Sequence, residues 1–213
     1  MLSFSQACRG ASQLTKELAF QYDGTFYRSI GDFIGKNYVD YGFTKGTVQE
    51  VDFLTELLNL PVGAKILDVG CRSGRHSLEF ARRRFHVVGR DISDRFVEIA
   101  NQTAHAQKLA AEFFVQDARL MQFDREFDAA ICLCDGAFGL AGSDRAHKQI
   151  LKNTFGALKS GGQFVLSTIH SYSVAQQKPS AEVFDPYTAT SRDVSTLHSP
   201  DGERRVWLSG REI

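Results

Sequence analysis

The chain has 213 residues, enough for one domain with a sizeable core. Its hydrophobic fraction of 43% is typical of globular proteins and argues against a disordered chain. Lys plus Arg and Asp plus Glu both number 25, so the net charge of zero provides no global attraction to nucleic acid or to an anionic membrane. No run approaches the roughly 18 apolar residues of a membrane span, and we expect a cytoplasmic protein.

The four cysteines show neither a CxxC pair nor the Cys/His spacing of a zinc site. We expect buried, reduced thiols and predict no metal site. The cysteines are Cys8, Cys71, Cys132 and Cys134.

The first sixty residues carry apolar side chains at helical spacing. Leu14 and Leu18 belong to this pattern, which continues from Phe26 to Ile34. Thr47 is placed to cap a second helical run, and Pro61 and Gly63 follow where that run stops. The sequence therefore predicts a helical cap over residues 1–60.

From Lys65 the pattern changes to short apolar runs separated by helices. Alternation of this kind predicts parallel strands with right-handed crossovers, in an open, doubly wound α/β sheet. This core is expected over residues 61–170. The predicted strands are Lys65–Val69, His86–Ile92, Ala111–Gln116, Phe127–Leu133 and Gln163–Ile169. The predicted helices are Arg75–Arg84, a helix capped by Ser93 that runs to about Lys108, and Asp144–Leu158. We expect Ser160, Gly161 and Gly162 to end the last of these.

The last segment, residues 171–213, is more polar. Two strand-like runs, Arg192–His198 and Glu203–Ser209, flank Pro200, Asp201 and Gly202. Proline followed by Asp-Gly between two such runs predicts a β-hairpin.

The most informative stretch runs from Ile66 to Ser77, where a loop containing Gly70 and Gly74 joins the first strand to its helix. Open α/β sheets bind ligands at the carboxyl ends of their strands. Glycine lets such a loop turn tightly and approach a ligand without a Cβ atom in the way.

Acidic residues stand at the ends of the next two predicted strands. Asp91 ends the second strand, where a carboxylate can accept hydrogen bonds from both ribose hydroxyls of a nucleoside, and Asp117 follows the third. The fourth strand continues through Cys134 and Asp135 into a glycine-rich turn.

This succession of motifs resembles the class I S-adenosylmethionine-dependent methyltransferases, over roughly residues 46–169. The resemblance implies a Rossmann-like fold and S-adenosylmethionine as the cofactor. It also implies that Asp68 orients the methionine amino group, that Asp91 binds the ribose and that Asp117 lies near the adenine. We also expect Asp68 to accept hydrogen bonds from amides of its loop. The cofactor-binding residues expected from it are Asp68, Gly70, Cys71, Arg72, Gly74, Asp91, Ile92, Asp117, Ala118 and Cys134. Members of the family usually complete the sheet with a further helix and strand pair, which we expect to be missing here.

One residue departs from the family pattern, because Arg72 stands where the family has the middle glycine of Asp-x-Gly-x-Gly-x-Gly. Its guanidinium either points to solvent and leaves the cofactor path intact, or obstructs the methionine end of the cofactor. We expect intact binding, since the glycine mainly supplies backbone freedom and space.

No catalytic residue is assigned. A base is needed if the acceptor must lose a proton, and Asp135 and His170 lie at suitable strand ends. Tyr38, Tyr41 and Tyr172 are candidates to close over the site.

The expected activity is methyl transfer to a nitrogen or oxygen nucleophile of a small molecule. Neutral charge favours such an acceptor over nucleic acid, and a homodimer is left open. A methyltransferase-like binding module that has lost catalysis is the alternative that Arg72 supports. A nicotinamide-dependent dehydrogenase is less favoured, because it requires G-x-G-x-x-G where this chain has Gly70-x-x-x-Gly74.

Overall fold

The computed structural model describes residues 24–134, 136–177, 184–185 and 190–212 of the chain. It begins with helix α1 (Phe26–Ile34), passes through two 3₁₀ segments (Gly35–Asp40 and Gly42–Thr44) and continues with α2 (Thr47–Leu58). The predicted helical positions Leu14 and Leu18 lie outside the described residues.

The prediction that Thr47 caps α2 is wrong. Gly46 occupies the cap position, and Thr47 is the first helical residue. The Thr47 hydroxyl instead donates to the carbonyl of Thr44 at 2.7 Å, which ties the helix to the preceding 3₁₀ segment.

The remainder of the first 166 residues alternates between strands and helices, as predicted. These elements are β1 (Lys65–Val69), α3 (Arg75–Arg82), β2 (His86–Asp91), α4 (Asp94–Ala106), β3 (Ala111–Val115), β4 (Phe127–Cys132), α5 (Asp144–Ala157) and β5 (Leu158–Leu166). Ser93 caps α4 as predicted, and its hydroxyl accepts a hydrogen bond from the amide of Phe96.

The five strands form one parallel sheet in the order β3-β2-β1-β4-β5. Helices cover both of its faces, which confirms the predicted doubly wound α/β architecture. One apolar cluster packs α2, α3 and α4 against the sheet through Val51, Phe80 and Ala100. A second cluster on the other face contains Ile150 and Ala157 of α5. Burial on both faces explains why the strands read as continuous apolar runs.

Strand β5 begins five residues earlier than predicted. Leu158 already pairs with Phe127, and the pairing then shifts so that Gln163 lies opposite Ala129. Gly161 has a φ of 79°, a left-handed value that favours glycine. The two glycines predicted to end the helix therefore form an irregularity within the strand.

After β5 the chain forms a short helix α6 (Ser171–Gln176) and three strands, β6 (Phe184–Asp185), β7 (Thr190–His198) and β8 (Arg204–Glu212). Strands β7 and β8 pair antiparallel with His198 opposite Arg204, which confirms the hairpin around Pro200, Asp201 and Gly202. Within the described residues, the parallel sheet has no strand beyond β5.

The hairpin packs against the N-terminal helices. Leu197 joins the cluster of Ile30 and Phe33, and the guanidinium of Arg205 lies 4.7 Å from the centre of the Phe33 ring. The amide of His198 also donates to the hydroxyl of Tyr41 at 3.3 Å. The two ends of the described chain thus pack against each other, and the same apolar cluster includes Phe96 of α4. Among the described helices, none has the length and apolar character needed to cross a membrane.

Candidate active site

A cleft lies where β1, β2, β3 and β4 end at the carboxyl edge of the sheet. The enclosed space is small, about 40 Å³, and the rest of the cleft is open to solvent. Five of the ten predicted cofactor-binding residues line it: Gly70, Asp91, Ile92, Asp117 and Ala118. The opposite wall includes Tyr27 from α1 and Leu140 and Ala141 from the loop after β4.

The glycines of the loop after β1 are required by neighbouring protein atoms. Gly70 has a φ of 75°, and a Cβ atom there would lie 2.2 Å from the carbonyl carbon of Gly136. Gly74 has a φ of 77°, and a Cβ atom there would lie 2.8 Å from the Phe113 ring. The sequence interpretation attributed these glycines to ligand approach, whereas the structure also shows tight contacts with the loop after β4 and with β3.

Asp91 holds this loop in place and retains room for a ligand. Its carboxylate is buried and accepts from the amides of Arg72 at 2.8 Å and Ser93 at 2.9 Å, one on each oxygen. A carboxylate offers about four acceptor positions, so two remain for hydroxyl groups in the cleft. Burial raises the pKa of Asp91, while the hydrogen bonds from the two amides oppose that shift.

Asp117 is held differently, by a neighbouring cation. The Arg119 guanidinium approaches both carboxylate oxygens, with Nε at 2.9 and 3.0 Å, and the Arg119 amide also donates to Asp117. Burial opposes ionisation of Asp117, but these hydrogen bonds outweigh it and lower its pKa. Asp117 therefore faces the cleft with most of its acceptor positions already used.

Asp68 lies below the loop and outside the cleft lining. The sequence interpretation had it bonded to loop amides, but its carboxylate accepts from the hydroxyl of Ser77 at 2.6 Å. The amides of Gly70 and Cys71 instead donate to the carbonyl of Arg90, at 2.8 and 3.1 Å. Burial raises the pKa of Asp68 to about 6.

Arg72 points into the protein, so the solvent-facing alternative is wrong. It is 6% exposed and has a φ of 50°. The guanidinium donates to the hydroxyls of Tyr38 at 2.8 Å and Tyr27 at 3.1 Å, and to the carbonyl of Cys134 at 2.8 Å. It therefore joins the loops after β1 and β4 to the N-terminal helices.

A second polar cluster lies next to Arg72. Arg75 donates to Glu50 at 2.5 Å and to the Cys134 sulfur at 3.0 Å, and His76 Nε2 lies 2.7 Å from Glu50. Donor atoms of Glu50, His76 and Cys134 lie within 4.8 Å of one another, a spacing that could hold a metal ion. The Arg75 cation contacts two of these three groups, and its charge opposes a metal ion there.

Of the two sequence candidates for a catalytic base, the one that lies within the described residues, His170, does not line the cleft. His170 caps the short helix α6, accepting from the Tyr172 amide at 3.1 Å, and is exposed. Asp135 lies outside the described residues. Of the three tyrosines expected to close the site, Tyr38 is buried against Arg72, Tyr41 contacts the hairpin and Tyr172 is 65% exposed.

The cleft residues that were not predicted from the sequence include Tyr27, Arg90 and Arg119. Arg90 precedes Asp91, and its guanidinium lies 4.2 Å from the centre of the Phe114 ring. Arg119 follows Asp117 by two positions, so its proximity to that carboxylate was a readable signal. Tyr27 carried no such signal, because it reaches the cleft only through the packing of α1 on α4.

Comparison with known proteins identifies the same region. Residues 66–162 match a family model described as a methyltransferase domain. A putative methyltransferase of Geobacillus sp. (strain WCH70) is 34% identical over 110 residues, which cover 51% of this chain and 44% of that protein. The chain spans about half the length of the curated relatives that it matches.

Solved methyltransferases share the fold. The CcbJ methyltransferase of Streptomyces caelestis has a TM-score of 0.72 at 17% identity, over 90% of this chain and 82% of that one. CalS10, an amino pentose methyltransferase from Micromonospora echinaspora solved with S-adenosylmethionine bound, has a TM-score of 0.57 at 18% identity, over 81% and 79% of the two chains. At these identities the likeness establishes the fold alone.

Proposed function

Since the chain contains a class I S-adenosylmethionine-dependent methyltransferase domain, we propose that it transfers a methyl group from this cofactor to a nitrogen or oxygen atom of a small molecule. The observation that carries the proposal is the shared cleft of Asp91 and Asp117. These acids end adjacent strands, and both face the space beside Gly70. A nucleoside in this cleft would meet a buried carboxylate at its ribose and a second carboxylate at its base.

The cleft suits the nucleoside half of the cofactor. Asp91 has acceptor capacity left for two ribose hydroxyls. Ile92, Ala118 and Leu140 provide apolar surface on which a flat base can pack. We propose that these residues, with Gly70 and Asp117, hold the adenosine moiety.

When bound, the cofactor supplies an electrophilic methyl carbon on a sulfonium. The protein then has to hold the acceptor atom in line and exclude water, and orientation of this kind contributes about 7–11 kcal/mol to catalysis. Helix α1 and the loop after β4 cover one side of the cleft through Tyr27 and Leu140. These two elements are placed to exclude water from the reacting groups.

Calorimetric titration with S-adenosylhomocysteine and with NAD tests the proposal. We expect one molecule of S-adenosylhomocysteine to bind per chain, and NAD to bind at least about tenfold more weakly, since the loop lacks the dinucleotide glycine pattern. Equal or tighter binding of NAD would favour the dehydrogenase alternative. Absence of any nucleoside binding would reject the cofactor proposal.

A binding module that has lost catalysis is the second candidate, because Arg72 is buried beside the cleft and contacts Tyr27, one of the lining residues. The distinguishing measurement is release of S-adenosylhomocysteine from S-adenosylmethionine in the presence of pooled small amines and phenols. Release above the rate without protein supports the enzyme. Tight cofactor binding with no release from any pool supports the binding module.

A further inference from the structure

The predicted cofactor residues fall into two groups in the structure. Those expected at the nucleoside end, Asp91, Ile92, Asp117 and Ala118, line the open cleft. Four other predicted residues do not line it: Asp68, which was expected at the methionine amino group, and Cys71, Gly74 and Cys134. Arg72 contacts one member of each group, since its amide donates to Asp91 and its guanidinium donates to the carbonyl of Cys134.

The side chain of Arg72 is not among the residues that line the cleft, but it connects the two loops beside it. Its backbone belongs to the loop after β1, and its amide donates to Asp91. Its guanidinium reaches the carbonyl of Cys134, after β4, at 2.8 Å. The distance between these two loops is therefore bridged by a single side chain.

The guanidinium is held firmly in this position. The hydroxyls of Tyr38 and Tyr27 accept from it at 2.8 and 3.1 Å, and the centres of their rings lie 5.6 and 4.6 Å from its central carbon. A cation that is 94% buried is stabilised by such contacts, since aromatic faces and oxygen acceptors replace its hydration. Another group can enter this space only if these contacts break.

We propose that the Arg72 guanidinium occupies the space that the methionine half of S-adenosylmethionine requires, and that cofactor binding must displace it. This inference rests on the proposed function. It makes Arg72 a specificity-determining residue, because only the amino-acid half of the cofactor must displace the Arg72 cation. The chain would then discriminate weakly between the full cofactor and nucleosides that lack the amino-acid portion.

The test compares S-adenosylhomocysteine with 5′-methylthioadenosine, which has the same nucleoside but no amino-acid portion. Calorimetry on the wild-type chain should give dissociation constants within about tenfold of each other. Arg72→Gly should tighten S-adenosylhomocysteine by about tenfold or more and leave methylthioadenosine within about twofold, since charge-assisted hydrogen bonds no longer have to break. Glycine also adopts the φ of 50° at this position without strain.

Two further variants distinguish a specific effect of the Arg72 guanidinium from a general effect of substitution. Arg84→Gly is the matched control, because Arg84 is an exposed arginine with a φ of 68° at the end of α3, away from the cleft. It should change neither dissociation constant. Tyr38→Phe keeps the buried ring but removes one acceptor of the guanidinium, and it should tighten S-adenosylhomocysteine alone by a few-fold.

Several results would overturn the inference. If Arg72→Gly weakens S-adenosylhomocysteine, the guanidinium contacts the amino-acid portion instead of competing with it. If the variant binds both nucleosides as the wild type does, the side chain is not in the way. If neither the wild type nor Arg72→Gly binds either nucleoside, the proposed function fails, and the inference fails with it.

Discussion

Asp91 and Asp117 end neighbouring strands, but their carboxylates have different hydrogen-bond partners. Asp91 accepts from two loop amides and keeps acceptor positions free for the cleft. Asp117 is held by Arg119 through several hydrogen bonds. A hydrogen-bond donor on the ligand therefore gains a hydrogen bond at Asp91, whereas at Asp117 it must compete with the Arg119 guanidinium.

This difference predicts unequal effects of alanine at the two positions. Asp91→Ala should weaken S-adenosylhomocysteine binding by about 1.5–3 kcal/mol, the value of a charge-assisted hydrogen bond. Asp117→Ala should weaken it by less than about threefold. Calorimetry on both variants checks this, with thermal unfolding as the control for Asp91, whose loss also frees two amides. Equal losses, or a larger loss at Asp117, would contradict the assignment.

His76 is a buried neutral histidine whose protonation opposes folding. Burial lowers its pKa from 6.5 to about 4, with the nearby Arg75 cation acting in the same direction and Glu50 against it. The unfolded chain therefore binds this proton more tightly than the folded chain. The stability contributed by neutral His76 is present above pH 6.5 and is lost as the pH falls toward 4.

We predict that His76→Gln removes this pH dependence. Between pH 7 and 4 the wild type should lose up to about 3 kcal/mol more free energy of unfolding than the variant. Urea unfolding at several pH values measures the difference. Asp68, with a pKa raised to about 6, acts in the opposite direction, but it is present in both proteins and cancels. Parallel pH profiles for the two proteins would show that His76 protonates freely in the folded chain.

At the scale of elements, the position of α1 depends on one glycine. A Cβ atom at Gly31 would lie 2.0 Å from the Ser93 hydroxyl oxygen. Helix α1 therefore crosses α4 next to the first turn of α4. Since the Tyr27 hydroxyl on α1 accepts a hydrogen bond from Arg72, this crossing also fixes the position of α1 beside the cleft.

Gly31→Ala should therefore destabilise the chain by about 1–3 kcal/mol, the usual cost of overpacking. Gly156→Ala is the matched change within α5, where the nearest atom to the new Cβ would be 3.8 Å away. It should stabilise by about 0.5–1 kcal/mol through helix propensity. Thermal unfolding of both variants measures these changes in stability. If Gly31→Ala leaves the stability unchanged, α1 does not need this close crossing.

The elements that the sequence predicted well are those with a local signal. Strands β1 to β4 and helix α4 follow from apolar runs and the Ser93 cap, and their bounds differ from the prediction by at most two residues. Strand β5 was misplaced, because Gly161 and Gly162 read as a helix end, although tertiary pairing with β4 accommodates them within the strand. The division into residues 1–60, 61–170 and 171–213 stays a prediction.

For the whole molecule, the sequence was enough to predict that the site lies at the carboxyl edge of the sheet, but not how the side chains of the site are arranged. Asp91 and Asp117 were predictable, since each follows a recognisable strand. The inward position of Arg72 was not, because its partners Tyr27 and Tyr38 lie at least 34 residues away and meet it only after α1 packs on α4. The Arg119 contact with Asp117 was overlooked although both residues lie in one short segment.

The central claim is that the cleft beside Asp91 is the nucleoside site of a methyltransferase domain. A crystal structure of the chain with S-adenosylhomocysteine tests it most directly. We expect ribose hydroxyls at about 2.5–3.0 Å from the Asp91 carboxylate and the adenine between Ile92 and Ala118. A nucleoside bound elsewhere, or bound in the cleft with its ribose away from Asp91, would contradict it.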